Sequence, residues 1–131
     1  MSEKSWWNTH LERKQGTGLV ALTIEAEELS HCHILSISGK LTVDSSPELL
    51  DKIREGLKRT SCLKLRLQEV QYIDSSGIAT LIRGLKLAQE AGAGYVLVDP
   101  SPKVQAVIEL SQLQEFFPIE HSTSQNSVEE P

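Results

Sequence analysis

Apolar and polar positions along the chain change period several times, and each change marks an element. From Leu19 to Glu25, the residues Val20, Leu22 and Ile24 alternate with Leu19, Ala21, Thr23 and Glu25, the two-residue period of a strand with one face more apolar than the other. Glu27 to Ser30 reads as a polar turn. His33 to Ser38 then resumes a strand that Gly39 closes, and the short connection predicts an antiparallel hairpin. Ser45-Ser46-Pro47-Glu48 carries helix-start signals: a capping serine, proline at the first helical position and an acid in the first turn. Leu49, Leu50, Ile53 and Leu57 form the apolar stripe of that helix, and Lys58 and Arg59 sit at its C-terminal end, where the dipole favours cations. Leu63, Leu65 and Leu67 alternate with Lys64, Arg66 and Gln68 in the next strand.

The strand pattern gives way to a helical one within Tyr72-Ile73-Asp74-Ser75-Ser76-Gly77-Ile78. Asp74, Ser75 and Ser76 are all capping residue types, and Ile78, Leu81, Ile82 and Leu85 follow at the spacing of a core-facing helix. The helix runs to about Ala91, Gly92-Ala93-Gly94 breaks it, and Tyr95 to Val98 is an apolar strand. With the helix as crossover, the strands Leu63 to Leu67 and Tyr95 to Val98 are expected to be parallel neighbours in the right-handed sense. Asp99-Pro100-Ser101-Pro102 makes a turn and starts a third helix, with Val104, Val107 and Ile108 inward. Leu113, Phe116, Phe117 and Ile119 form a closing loop and a short edge segment. The division expected is a polar N-terminal tail over 1–18, one domain over 19–119 and a polar tail over 120–131, with no internal repeat.

Composition narrows the function classes. Apolar residues at 39% and charged residues at 24% place the 131-residue chain among ordinary globular domains, long enough to bury a core without metals. A net charge of -5 with no dense Lys/Arg cluster argues against direct nucleic-acid binding. No apolar run approaches the roughly 20 residues that span a bilayer, so a cytoplasmic setting is expected. Cys32 and Cys62 lack metal-type spacing and read as small buried hydrophobes kept reduced, with a single disulfide between them as the less favoured alternative. His31 and His33 would share a strand face, yet no carboxylate or cysteine joins them there, so they read as surface histidines. Trp6-Trp7 with Leu11 could dock on the domain itself, a second copy in a homodimer, another protein or a membrane surface. No cofactor is expected.

The Asp74-Ser75-Ser76 corner is where chemistry concentrates. The first N–H groups of a helix lack intrahelical partners, and its dipole presents a positive end, so a phosphate placed there meets ready donors. A serine at that point is suited to a switch. A hydrolase is rejected: His10, His31, His33 and His121 lie in no recognisable motif and Gly-x-Ser-x-Gly is absent.

The order of two strands, helix, strand, Asp-Ser-Ser-Gly corner, helix, strand, helix resembles a STAS domain. The resemblance covers roughly Leu19 to Ile119. It is carried most specifically by Tyr72-Ile73-Asp74-Ser75-Ser76-Gly77-Ile78, and by Ser101-Pro102-Lys103-Val104 followed by Leu110-Ser111-Gln112-Leu113, which look like the two signature stretches of anti-sigma factor antagonists. It implies an α/β fold: a mixed sheet of four or five strands with helices packed mainly on one face. It also implies a protein that is not an enzyme and acts by partner switching. The partners would be an anti-sigma factor that is also a serine kinase, and a phosphoserine phosphatase. By the same resemblance Ser75 is the phosphorylated residue, Ser76 is secondary, and Asp74, Ser75, Ser76, Gly77 and Ile78 contact the partner. The long tail bearing Trp6-Trp7 and the absence of a terminal helix pattern after Ile119 depart from that pattern. They point to an alternative, the STAS subunit of a lipid-transporting ABC transporter that binds its ATPase. In that subfamily Ala or Thr often follows the first serine, so Ser76 favours the antagonist.

Overall fold

The computed structural model describes residues 22–122. Trp6-Trp7, Leu11, the tail over 1–18, the start of the first strand at Leu19 and the last residues of the chain lie outside the described residues. Strand β1 (Leu22–Leu29) pairs antiparallel with β2 (Cys32–Leu41), from Leu22↔Gly39 to Leu29↔Cys32. Both turn residues, Ser30 and His31, have positive φ (52° and 72°), the requirement of a tight two-residue hairpin turn that matches strand twist. The expected polar turn over Glu27 to Ser30 is therefore mostly strand. β1 is an edge strand whose Glu25, Glu27 and Glu28 are exposed, and charges on an edge discourage pairing with other chains. Nor does Gly39 close the second strand. With φ 107° it lies within β2, where the register against the next strand shifts, and β2 continues to Leu41.

Helix α1 (Ser46–Arg59) starts as its proline and acid predict, and buries Leu49 and Ile53. Neither serine before Pro47 caps it: Ser46 Oγ donates to the Thr42 carbonyl at 2.7 Å, while Ser45 Oγ donates to the Lys40 carbonyl at 2.8 Å and accepts from the Thr42 N–H at 3.0 Å. That hydroxyl holds the 42–45 loop against the end of β2 instead of satisfying the helix. Strand β3 (Cys62–Ile73) lies parallel to β2 on one side and to β4 (Gly94–Val98) on the other. Helix α2 (Ser75–Ala91) is the crossover between β3 and β4, ending at Gly92 in the left-handed conformation, as the glycine break predicts. Helix α3 (Pro102–Leu110) is capped by Ser101, whose Oγ accepts from the Val104 N–H at 3.3 Å. A short strand β5 (Ile119–Glu120) pairs parallel with β4, completing the sheet order β1-β2-β3-β4-β5. Ser122 donates from its N–H to Asp99 at 2.8 Å, fastening the chain just beyond β5 to the end of β4.

One apolar cluster joins Leu35, Ile37, Leu63, Leu65, Leu67, Tyr95 and Leu97 of the sheet to Leu49 and Ile53 of α1, Leu81, Leu85 and Ala88 of α2, and Val104 and Ile108 of α3. The helices thus pack on the same face, and each fully buried leucine contributes about 1.5–3 kcal/mol of transfer free energy. Tyr95 is the polar member. Burial pushes its phenol up from the ordinary range, and its O–H donates to the Leu81 carbonyl of α2 at 2.9 Å.

Two expectations fail for the same reason, that strand pairing places residues no local pattern can. Cys32 and Cys62 are joined in a disulfide with Cα atoms 4.7 Å apart, not held as reduced thiols. They stand one position before the His33↔Leu63 pair of two parallel strands, and both are only half-buried. The histidines do not share a face either. His31 is exposed in the turn, whereas His33 is buried, 3.4 Å from Glu28 and close enough to α1 that a Cβ on Gly56 would stand 2.8 Å from its ring. No metal-holding cluster is present among the described residues, and none of their helices is long and apolar enough to cross a membrane.

Candidate functional site

The site forms where the parallel strands β2 and β3 end together, at the Leu41↔Ile73 pair. Beyond Ile73 the backbone turns at Asp74, which is extended (φ -115°, ψ -171°) and caps α2. Asp74 Oδ1 accepts from the N–H groups of Ser76 (2.9 Å) and Gly77 (3.0 Å), two of the donors a helix start leaves unpartnered. The Asp74 N–H donates to the Leu41 carbonyl at 3.2 Å, tying the corner to the end of β2, and its own carbonyl accepts from Ile78 at 3.1 Å. Replacing Asp74 by Ala is expected to lower stability by about 1 kcal/mol, and Asp74→Asn by less because an acceptor remains. Thermal unfolding of the two variants measures this, and equal melting temperatures would mean that the cap contributes nothing.

Gly77 is required by contact. A Cβ there would stand 2.6 Å from the Leu41 carbonyl oxygen and 2.7 Å from Ile73 Cγ1. The first turn of α2 therefore rests directly on the backbone of β2.

Of the residues expected to meet a partner, Gly77 and Ile78 are buried and shape the corner from beneath, Asp74 and Ser76 are half-buried, and Ser75 is exposed. Among the described residues the Ser75 hydroxyl makes no hydrogen bond, so it projects from a frame that is otherwise held at every backbone group named above. Two exposed apolar residues, Val43 and Tyr72, lie outside the residues expected to meet a partner. Val43, two residues beyond Leu41, is 62% exposed, and Tyr72, two before Asp74, is 46% exposed. Only the β2–β3 register brings the 42–45 loop beside the corner. A valine amid Thr42, Asp44 and Ser45 was the one local sign.

The family model for the STAS domain matches residues 23–126. The chain belongs to the STAS domain family. It is 29% identical over 100 residues to the anti-sigma F factor antagonist of Paenibacillus polymyxa, covering 75% of this chain and 86% of that protein. Among solved structures it resembles an anti-sigma factor antagonist from Mycobacterium paratuberculosis, with a TM-score of 0.65, 22% identity and coverage of 76% of this chain and 86% of that one. It also resembles the Bacillus cell fate determinant SpoIIAA in the phosphorylated form, with a TM-score of 0.62, 15% identity and coverage of 82% and 98%. The five-stranded mixed sheet with helices on one face agrees with the fold that the sequence implies.

Proposed function

We propose that this protein is an anti-sigma factor antagonist that binds an anti-sigma factor with serine kinase activity through the Asp74-Ser75 corner and is released when Ser75 is phosphorylated. The observation that carries the reading is the exposure of Ser75 on a corner whose capping donors are already taken. Its relatives are antagonists by name, and SpoIIAA has a phosphorylated form.

The geometry gives phosphorylation a defined consequence. A phosphoryl group adds about -1.5 to -2 charges at neutral pH. The N–H groups of Ser76 and Gly77, which would otherwise receive it, already donate to Asp74 Oδ1. The phosphate is therefore expected to project outward beside the Asp74 carboxylate, into the surface a partner covers, where repulsion and desolvation oppose contact. The fold beneath is left intact. Before modification the same surface offers a hydroxyl three residues after exposed Tyr72, with exposed Val43 two residues beyond the Leu41↔Ile73 pair, which suits an apolar contact around a small polar centre. A phosphoserine phosphatase would restore that state, and the cytoplasm, where kinase and sigma factor meet, is the setting this requires.

Capture from native cell extract with wild-type, Ser75→Ala and Ser75→Asp baits tests the reading. Wild type and Ser75→Ala are expected to retain a soluble kinase, with Ser75→Asp binding it at least about tenfold more weakly, about 1.4 kcal/mol. Equal retention by all three would remove Ser75 as a switch. Recovery of an ABC ATPase by every bait would replace the antagonist with a transporter subunit.

A further inference from the structure

Cys32 opens β2 and Cys62 opens β3, so the disulfide joins two parallel strands at the end of the sheet opposite the Ser75 corner. Along the twelve residues of β3 that separation is about 36 Å at ~3.3 Å per residue. Both cysteines are half-buried, and Cys32 borders two surface depressions, of about 260 and 440 Å³. Lys64, Arg66 and Glu120 line the first and Glu28 and Arg59 the second, so polar, solvent-reached surface adjoins Cys32 on both sides. A noncovalent tie spans the same gap. Thr60 Oγ1 accepts from the Cys62 N–H at 3.0 Å and stands within donating distance of the carbonyls of Cys62 (3.1 Å) and His31 (3.2 Å), a link between the strand ends that does not depend on the sulfurs.

We propose that Cys32 and Cys62 form a reversible redox site, opened and closed by thiol–disulfide exchange with a low-molecular-weight thiol. Opening begins when an external thiolate attacks one sulfur, forming a mixed disulfide as the Cys32–Cys62 bond breaks and its electron pair leaves on the other sulfur. A second external thiolate then attacks the small-thiol sulfur of that mixed disulfide, and the protein's cysteine thiolate leaves. The protein gains two electrons and two protons as two thiols, and the small thiol leaves oxidised as its own disulfide. Closing is the reverse, with the low-molecular-weight disulfide as oxidant. Redox state then sets how firmly the hairpin end of the sheet is held, separately from the phosphorylation chemistry at the other end.

The full chain equilibrated in graded mixtures of reduced and oxidised glutathione, quenched with acid and labelled with a mass-tagging maleimide, reads the number of free thiols. The expected result is one transition from none to two, with near-UV circular dichroism unchanged across it, and a mixed disulfide with glutathione on Cys62 in the Cys32→Ser variant. Two labels at every ratio would show that no pair forms. No label until the protein is denatured, or loss of the near-UV signal on reduction, would make the bond a fixed structural one. Either result, or a Cys32→Ser variant that takes up no glutathione, overturns the proposal.

Discussion

Replacing Gly77 by Ala is expected to cost about 2–3 kcal/mol of folding stability and to weaken partner capture with it, because one methyl group there acts on several contacts at once. The added Cβ would stand 2.6 Å from the Leu41 carbonyl oxygen, 2.7 Å from Ile73 Cγ1 and 2.9 Å from Leu41 Cγ. The first of these is backbone, which cannot rotate away as the tip of a side chain can. Relief requires the start of α2 to move off the end of β2. The same Leu41 carbonyl accepts from Asp74, and the Gly77 N–H is one of the two donors that hold the Asp74 carboxylate, so movement loosens the frame that presents Ser75. Intrinsic propensity pulls the other way, since Ala is better than Gly in a helix by up to ~1 kcal/mol. Urea unfolding measures the balance. A midpoint equal to or above that of the wild type would show that propensity outweighs the contact and that the corner is not tightly packed.

What the sequence made legible follows from how local the causes are. Pro47, Asp74, Gly92 and Pro102 each act within a turn of helix: all three helices start near the residues so marked, and α2 stops at Gly92. The parallel pairing of β3 and β4 was also legible, because a helix between two strands leaves little other geometry. The limits of β1 and β2 were not. Glu25 to Glu28 lack the apolar alternation of a half-buried strand because β1 is an edge, yet their backbone bonds to β2 regardless. Gly39 resembles a strand stop and is instead a left-handed residue within a bulged strand. The corner itself was visible through its capping types, whereas its neighbourhood was not. Val43 joins it only through the β2–β3 register, and Cys32 meets Cys62 through the other end of that same register.

Reduction of the Cys32–Cys62 bond is expected to lower stability by about 3–4 kcal/mol while leaving the native fold intact, the largest single loss among these tests. The two cysteines are 30 residues apart in sequence, and the segment between them contains the rest of β2, α1 and the connection into β3. Cross-linking its ends removes conformations from the unfolded chain far more than from the folded one, where the ladder between β2 and β3 already fixes both ends. The loss should therefore arise in the unfolded state, and the folded core, centred on Leu65 and Leu97, should be unchanged. Urea unfolding of the oxidised and reduced forms tests both parts. The reduced form should unfold at a lower midpoint and with a steeper dependence on urea, because an unlinked chain exposes more surface on unfolding. Coincident curves would mean that the strand ladder and the Thr60 hydroxyl alone hold this end of the sheet. A Cys32→Ser, Cys62→Ser double variant that matches the reduced form assigns the difference to the bond itself, since neither half-buried position then has a large apolar group to lose.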